Sequence, residues 1–134
     1  MKWISLVFLS VLFVATFGCD SDDDSSTTTT GTTTLAQGTK TAAGGSATVL
    51  ATVSVAQEGT LVATVTWSGA PATLTAYFKH SGATNYGWVD SASPLTSTVN
   101  ITAAEVAAGS SWTLYASPGA NPVDVTYLIT FTPN

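Results

Sequence analysis

From residue 47 onward the chain alternates apolar and polar residues with a period of two. Val49, Ala51, Val53 and Val55 alternate with Thr48, Leu50, Thr52 and Ser54. Leu61, Ala63, Val65 and Trp67 alternate with Val62, Thr64, Thr66 and Ser68, and Leu74, Ala76 and Phe78 with Thr73, Thr75, Tyr77 and Lys79. Further runs cover Leu95–Thr102, then Ser110–Ser117 with Trp112, Leu114 and Ala116 in phase. The last is Val123–Thr132, with Val125, Tyr127, Ile129 and Phe131 in phase. Successive side chains of a strand point to opposite faces, so each run predicts a half-buried strand. The wealth of Thr, Val and aromatic residues agrees with that reading. Turn-forming residues separate the runs: Glu58-Gly59, Ser68–Pro71, Ser81-Gly82, Ala108-Gly109 and Ser117–Pro122. A weaker run at Tyr86–Asp90 brings the count to about seven strands. Thr102–Ala108 could form a helical turn, but its neighbours point to a loop crossing between sheets. The expected fold class is all-β: a small jelly-roll-like or Ig-like antiparallel β-sandwich. Trp67, Phe78, Trp112, Tyr127 and Phe131 are the large inward-phase residues, and Trp67→Ala should cost roughly 3–5 kcal/mol for a buried aromatic.

The N-terminal part has a different pattern. Met1-Lys2 is followed by an apolar run of 15 residues from Trp3 to Phe17, then Gly18-Cys19, then Asp20, Asp22, Asp23 and Asp24. A positive start, a short apolar run and a small residue at the cut form a secretory signal. The run falls short of the roughly 20 residues that a bilayer core requires. Thr16-Phe17-Gly18-Cys19 resembles a bacterial lipobox, with Thr16 and Phe17 departing from the commonest residues there. That resemblance implies cleavage after Gly18 and a diacylglycerol thioether on Cys19. The chain would then meet the membrane through covalent lipid at Cys19, which needs more than one acyl chain for lasting attachment. Cys19 is the only cysteine, so no intrachain disulfide forms. The acids after it resemble the export signal of Bacteroidetes surface lipoproteins. Asp20 beside the cysteine also resembles the inner-membrane retention signal of other Gram-negative lineages. The expected location is the cell envelope, at the outer membrane or cell surface, with the periplasmic face of the inner membrane as the alternative. The domain reading is residues 1–18 signal peptide, 19–46 lipidated cysteine with a flexible acidic and Thr-rich linker, and 47–134 β-sandwich. The linker offers too little apolar surface to offset the entropy of ordering.

The strand sequences carry a family resemblance. Gly59–Trp67 (GTLVATVTW), Ala72–Phe78 (ATLTAYF), Ala108–Tyr115 (AGSSWTLY) and Val125–Phe131 (VTYLITF) resemble the bacterial pre-peptidase C-terminal (PPC) domain over about Val49 to Thr132. The resemblance implies a jelly-roll-like sandwich that serves secretion, stability or attachment to insoluble polymers beside a catalytic module. Thr73 and Thr75 stand where that family usually carries acids, and no catalytic module accompanies the domain.

Composition narrows the chemistry. The net charge is −5, there is no arginine, and Lys40 and Lys79 are the only lysines after the signal. Nucleic-acid binding needs several phosphates neutralised by Lys or Arg, so it is excluded as a partner class. His80 is the single histidine, expected as an exposed strand-end residue, and no catalytic set is assigned. The acids Glu58, Asp90, Glu105 and Asp124 are well separated in sequence and read as solubility charges. One histidine is too few for zinc or copper, and no clustered carboxylates for calcium occur in the domain, so neither a metal nor another cofactor is assigned. The remaining signal is aromatic. Tyr77 and Tyr115 are out of phase with the core, and Tyr86 and Trp88 lie in the polar stretch Ser81–Ser93 beside Asn85. Exposed rings beside amides and carboxylates suit stacking on a glycan or partner protein; the competing reading packs Tyr86 and Trp88 at the end of the core. The expected function is a lipid-anchored, non-enzymatic binding module for a glycan or protein, with a structural envelope component as the alternative.

Overall fold

The computed structural model describes residues 31–134 apart from Ala83. Gly18, Cys19 and the acidic run lie outside the described residues. Eight strands form two sheets: β1 Thr33–Ala42, β2 Thr48–Ser54, β3 Gly59–Thr66, β4 Leu74–His80, β5 Asn85–Ser91, β6 Leu95–Ile101, β7 Ser111–Ser117 and β8 Val123–Pro133. The first sheet has the order β1-β8-β3-β6 and the second β2-β7-β4-β5. Every neighbouring pair is antiparallel.

The pairing is nested. β1 joins β8, β2 joins β7, β3 joins β6 and β4 joins β5, as in one long ribbon folded back at the β4–β5 turn. Rolling that ribbon adds the pairs β3–β8 and β4–β7 and places consecutive strands in opposite sheets, except β4 and β5, which pair at the fold of the ribbon. This order is a jelly roll of eight strands; the seven-strand immunoglobulin alternative has a different sheet composition. The inner faces meet through Leu61, Ala63 and Val65 of β3, Val125, Ile129 and Phe131 of β8, Leu74, Ala76 and Phe78 of β4, and Trp112, Leu114 and Ala116 of β7, all buried.

Four sequence expectations need correction. The linker does not run to residue 46: β1 occupies Thr33–Ala42 and pairs with β8 from Thr33↔Phe131 to Ala42↔Val123. Only Ala42 of this strand is buried, so its place depends on the backbone ladder with β8 and on the strand preference of Thr rather than on an apolar period. Along β2 and the residue that follows it, the inward set is Leu50, Val53 and Val55. A register shift between Val49 and Ala51 turns Leu50 inward at 3% exposure and leaves Val49 at 37%, as a bulge does when it inserts a residue into the two-residue period. Trp67 is half-buried at the rim of the core, where its indole N–H donates to the Pro71 carbonyl at 2.8 Å.

The fourth correction concerns the crossover and its histidine. Ala103–Ala108 forms a short helix, α1, that carries the chain from β6 in the first sheet to β7 in the second. Glu105 closes its first turn by accepting the Thr102 backbone N–H at 2.6 Å. His80 is buried, not exposed, because it continues the inward phase of Phe78. Its ring stacks on Trp112 at 4.2 Å, with Nε2 at 2.9 Å from the Glu105 carbonyl and Nδ1 at 3.1 Å from the Ser111 carbonyl. His80 thereby ties α1 to the end of the second sheet.

This packing sets the order in which four substitutions should destabilise the sandwich. A Cβ on Gly59 would collide with the Thr132 carbonyl and the Phe131 ring, so Gly59→Ala should lower the unfolding free energy by about 1–3 kcal/mol, as overpacking does. Trp112→Ala should cost about 3–5 kcal/mol. Trp112→Phe should cost clearly less, because the Trp112 indole N–H has no hydrogen-bond partner and its removal relieves a buried donor. Trp67→Ala should fall below the Trp112→Ala value. Urea denaturation of the four variants checks the order.

Candidate functional site

The aromatic residues singled out in the sequence divide between the two faces of the second sheet. The divider is Gly87, in β5. The β4–β5 register passes from Ala76↔Val89 to Phe78↔Tyr86, so Tyr77 alone stands opposite Gly87 and Trp88. Gly87 has φ +58°, which makes this a bulge whose first residue is a left-handed glycine. The extra residue breaks the two-residue period. Tyr86 consequently turns inward, its ring edge-on to Trp112 at 5.2 Å and to His80 at 6.3 Å. Trp88 turns outward and is 58% exposed.

On the outer face, Trp88 begins a row of rings across the sheet. Trp88 stacks on Tyr77 of β4 at 5.0 Å and 12°, and Tyr77 stacks on Tyr115 of β7 at 5.4 Å and 7°. Val49 of β2, the register partner of Tyr115, completes the row. Near-parallel rings at this separation are an energetically favoured arrangement, worth about 0.5–1.5 kcal/mol per pair beyond area burial. Tyr77, between two rings, is only 8% exposed although it belongs to the outer face. Lys79 lies over the row, with Nζ at 5.3 Å from the Tyr115 centroid and 6.0 Å from that of Tyr77, within cation–π range. Polar rows flank the rings. Asn85 pairs with Lys79 and Asp90 with Thr75, and Asn85 and Asp90 are both exposed.

The edge beside Trp88 is partly closed from the other sheet. Buried Ser97 of β6 donates its hydroxyl to the Gly87 carbonyl at 2.6 Å, tying the bulge to the first sheet. A Cβ on Gly87 would lie 2.6 Å from Ser97 Oγ and 2.8 Å from the Thr98 carbonyl. Gly87, Ser97 and Lys79 were not among the expected site residues. The signal for Gly87 was its place between two aromatics in a strand, where glycine marks a bulge.

The other chemistry-bearing residues do not converge. Asp90 is on the outer face of the second sheet, while Asp124 is on that of the first, accepting from Thr41 Oγ1 at 2.5 Å. Glu105 is committed to the α1 turn, and Glu58 sits between β2 and β3. Among the described residues no three of His, Cys, Asp and Glu come together. Both His80 nitrogens face backbone carbonyls. A cleft of about 310 Å³ where Leu35, Val55, Ala56 and Phe131 meet contains no titratable side chain.

The fold and this face define the chain as a jelly-roll β-sandwich with an outward row of stacked rings. No family model matches it, and no curated protein does. A solved structure to which it is similar, described as "Bacillus endospore appendages form a novel family of disulfide-linked pili", superimposes with a TM-score of 0.42 and 14% identity over 84% of this chain and 100% of that one. The fold assignment rests on the strand order itself.

Gly87→Ala tests the role of the bulge. Forcing a Cβ into this left-handed, crowded position should cost about 1–3 kcal/mol and unstack Trp88 from Tyr77. The second effect should appear as lost near-ultraviolet circular dichroism from the ring pair, while Ser91→Ala, outside the bulge, leaves the signal in place.

Proposed function

We propose that this chain is a lipid-anchored, non-enzymatic module of the bacterial cell envelope, and that the outer face of its second sheet binds a glycan or protein partner. The observation that carries the binding reading is the ring row: Trp88, Tyr77 and Tyr115 stacked across three strands, with Trp88 exposed at the open end. A tryptophan exposed at 58% gains nothing for the core, yet it is held rigidly by the rings behind it. Preorganised aromatic surface of this kind loses little entropy on binding. The dispersal of the four acids and the engagement of both His80 nitrogens support a non-enzymatic role.

The anchor reading rests on Thr16-Phe17-Gly18-Cys19 and the acidic residues after it. With β1 in the sandwich, the linker reading shortens from residues 19–46 to residues 19–32. Its acids favour the outer membrane or cell surface, with the periplasmic face of the inner membrane as the alternative. A jelly roll is the fold that the PPC resemblance implies, and that resemblance implies secretion, stability or attachment to insoluble polymers. A purely structural role is favoured for one residue, Tyr86, whose ring packs against Trp112 inside.

Two measurements test the proposal. Mass spectrometry of the processed chain should find its N-terminus at Cys19 carrying diacylglycerol, and Cys19→Ala should move the protein out of the membrane fraction. An unmodified N-terminus would refute the anchor. For binding, the full chain held in detergent should co-sediment with delipidated envelope material, and Trp88→Ala should weaken this by roughly tenfold, the equivalent of about 1.4 kcal/mol. No co-sedimentation by the wild type would overturn the binding reading.

A further inference from the structure

The ring row is closed at one end and open at the other, and this asymmetry names a ligand. We infer, building on the binding reading above, that the outer face of Trp88 seats one neutral sugar ring of a polysaccharide, with Asn85 and Asp90 hydrogen-bonding its hydroxyls.

The row has one free ring face. Tyr77 is sandwiched and Tyr115 is followed by Val49, whereas Trp88 lies in the edge strand β5 with Tyr77 on one side only. The free face is the next position in a ladder whose rings already repeat at 5.0 and 5.4 Å. What belongs there is a flat body with an apolar face. The axial C–H face of a pyranose ring is one, and its slightly positive hydrogens complement the negative π-face of indole.

The surroundings favour a sugar over a strand or protein surface. A strand added to β5 would need the open backbone edge at the bulge, but the Gly87 carbonyl is already bound to Ser97 Oγ at 2.6 Å. A protein interface of standard size buries about 1,200–2,000 Å² around an apolar centre. On this face the exposed large apolar residues are Trp88 and Val49, on strands at opposite edges of the sheet. A single ring needs much less.

Polarity then selects the kind of sugar. Asn85 and Asp90 are exposed on β5 on either side of Trp88, at positions whose β4 partners, Lys79 and Thr75, share the outer face. At about 3.3 Å per strand residue, Asp90 lies roughly 7 Å along the strand from Trp88, within reach of hydroxyls on a stacked ring. An amide both donates and accepts, and a carboxylate accepts from two neighbouring hydroxyls. Lys79 lies over Tyr115 and Tyr77 instead of at the open end. With four acids against two lysines in the sandwich and Asp90 beside the platform, an anionic sugar is repelled.

The test is a ¹H–¹⁵N titration of the full chain in detergent with a panel of neutral oligosaccharides covering gluco-, manno-, xylo- and N-acetylglucosamine-type backbones. At least one should shift the Trp88 indole N–H and the Asn85 side-chain amide while leaving the Trp67 and Trp112 indoles in place. Trp88→Ala should weaken that binding by roughly tenfold or more, a loss of at least about 1.4 kcal/mol. Tyr86→Phe, inside the sandwich, should leave it unchanged. No shift at Trp88 with any member of the panel, or binding retained in Trp88→Ala, overturns the sugar assignment. If co-sedimentation with delipidated envelope material persists in either case, and is abolished by treating that material beforehand with protease but not with polysaccharide-degrading enzymes, the occupant is a protein and only this inference falls. Loss of co-sedimentation by the wild type removes the underlying binding reading as well.

Discussion

One hydrogen bond and one backbone angle link the fold of this protein to its candidate site. The Gly87 carbonyl accepts from Ser97 Oγ across the seam between the sheets, and Gly87 itself is held at φ +58°. The contact ties β5 to β6 where the rolled ribbon passes from one sheet to the other. The bulge at the same residue sets which rings of β5 face in and which face out. Without the extra residue, Tyr86 and Trp88 would share a face, and either the core would lose a ring or the outer row would lose its end. The Gly87 position admits no side chain, so closing the seam and splitting the aromatics are one constraint.

The two outer faces meet solvent differently, although the chain has few charges. On the first sheet the outward residues are largely threonines that satisfy their hydroxyls sideways: Thr32 with Thr132 at 2.7 Å, Thr39 with Thr126 at 3.1 Å, and Thr41 with Asp124 at 2.5 Å. Cross-strand pairs of this kind contribute about 0.2–1 kcal/mol each. They help to hold β1, which buries little, onto β8. On the second sheet only the Thr52–Thr113 pair, at 3.0 Å, follows this pattern. The centre of that face is given to rings, which stack on one another and leave one indole face free. The contrast between a self-satisfied hydroxyl face and an unfinished aromatic face is the reason the second sheet is the one proposed to bind.

Most of the fold was legible in the sequence because most strands keep their period. Leu61, Ala63 and Val65 read inward, and so do Leu74, Ala76 and Phe78, and Trp112, Leu114 and Ala116. What was not legible has a physical cause in each case. β1 lacks an apolar rhythm because its pairing is backbone and threonine. β2 shifts phase at the bulge around Leu50, which no local residue type announces. His80 is polar at an inward position, and only the carbonyls of Glu105 and Ser111, distant in sequence, make that position acceptable. For the site, sequence placed Tyr77 and Tyr115 outward and grouped Tyr86 with Trp88. The first pair is on the outer face and the second is split by Gly87. The tilt of Lys79 over the rings depends on neighbouring strands and had no sequence signal.

The Gly87 bulge sends Trp88 outward onto Tyr77 and Tyr86 inward onto Trp112. Ring-to-ring nuclear Overhauser contacts measure this most directly. Trp88–Tyr77 and Tyr86–Trp112 cross-peaks are expected, together with rapid solvent exchange of the Trp88 indole N–H. Cross-peaks joining Trp88 to Trp112, or a Trp88 indole protected from exchange, would contradict this arrangement.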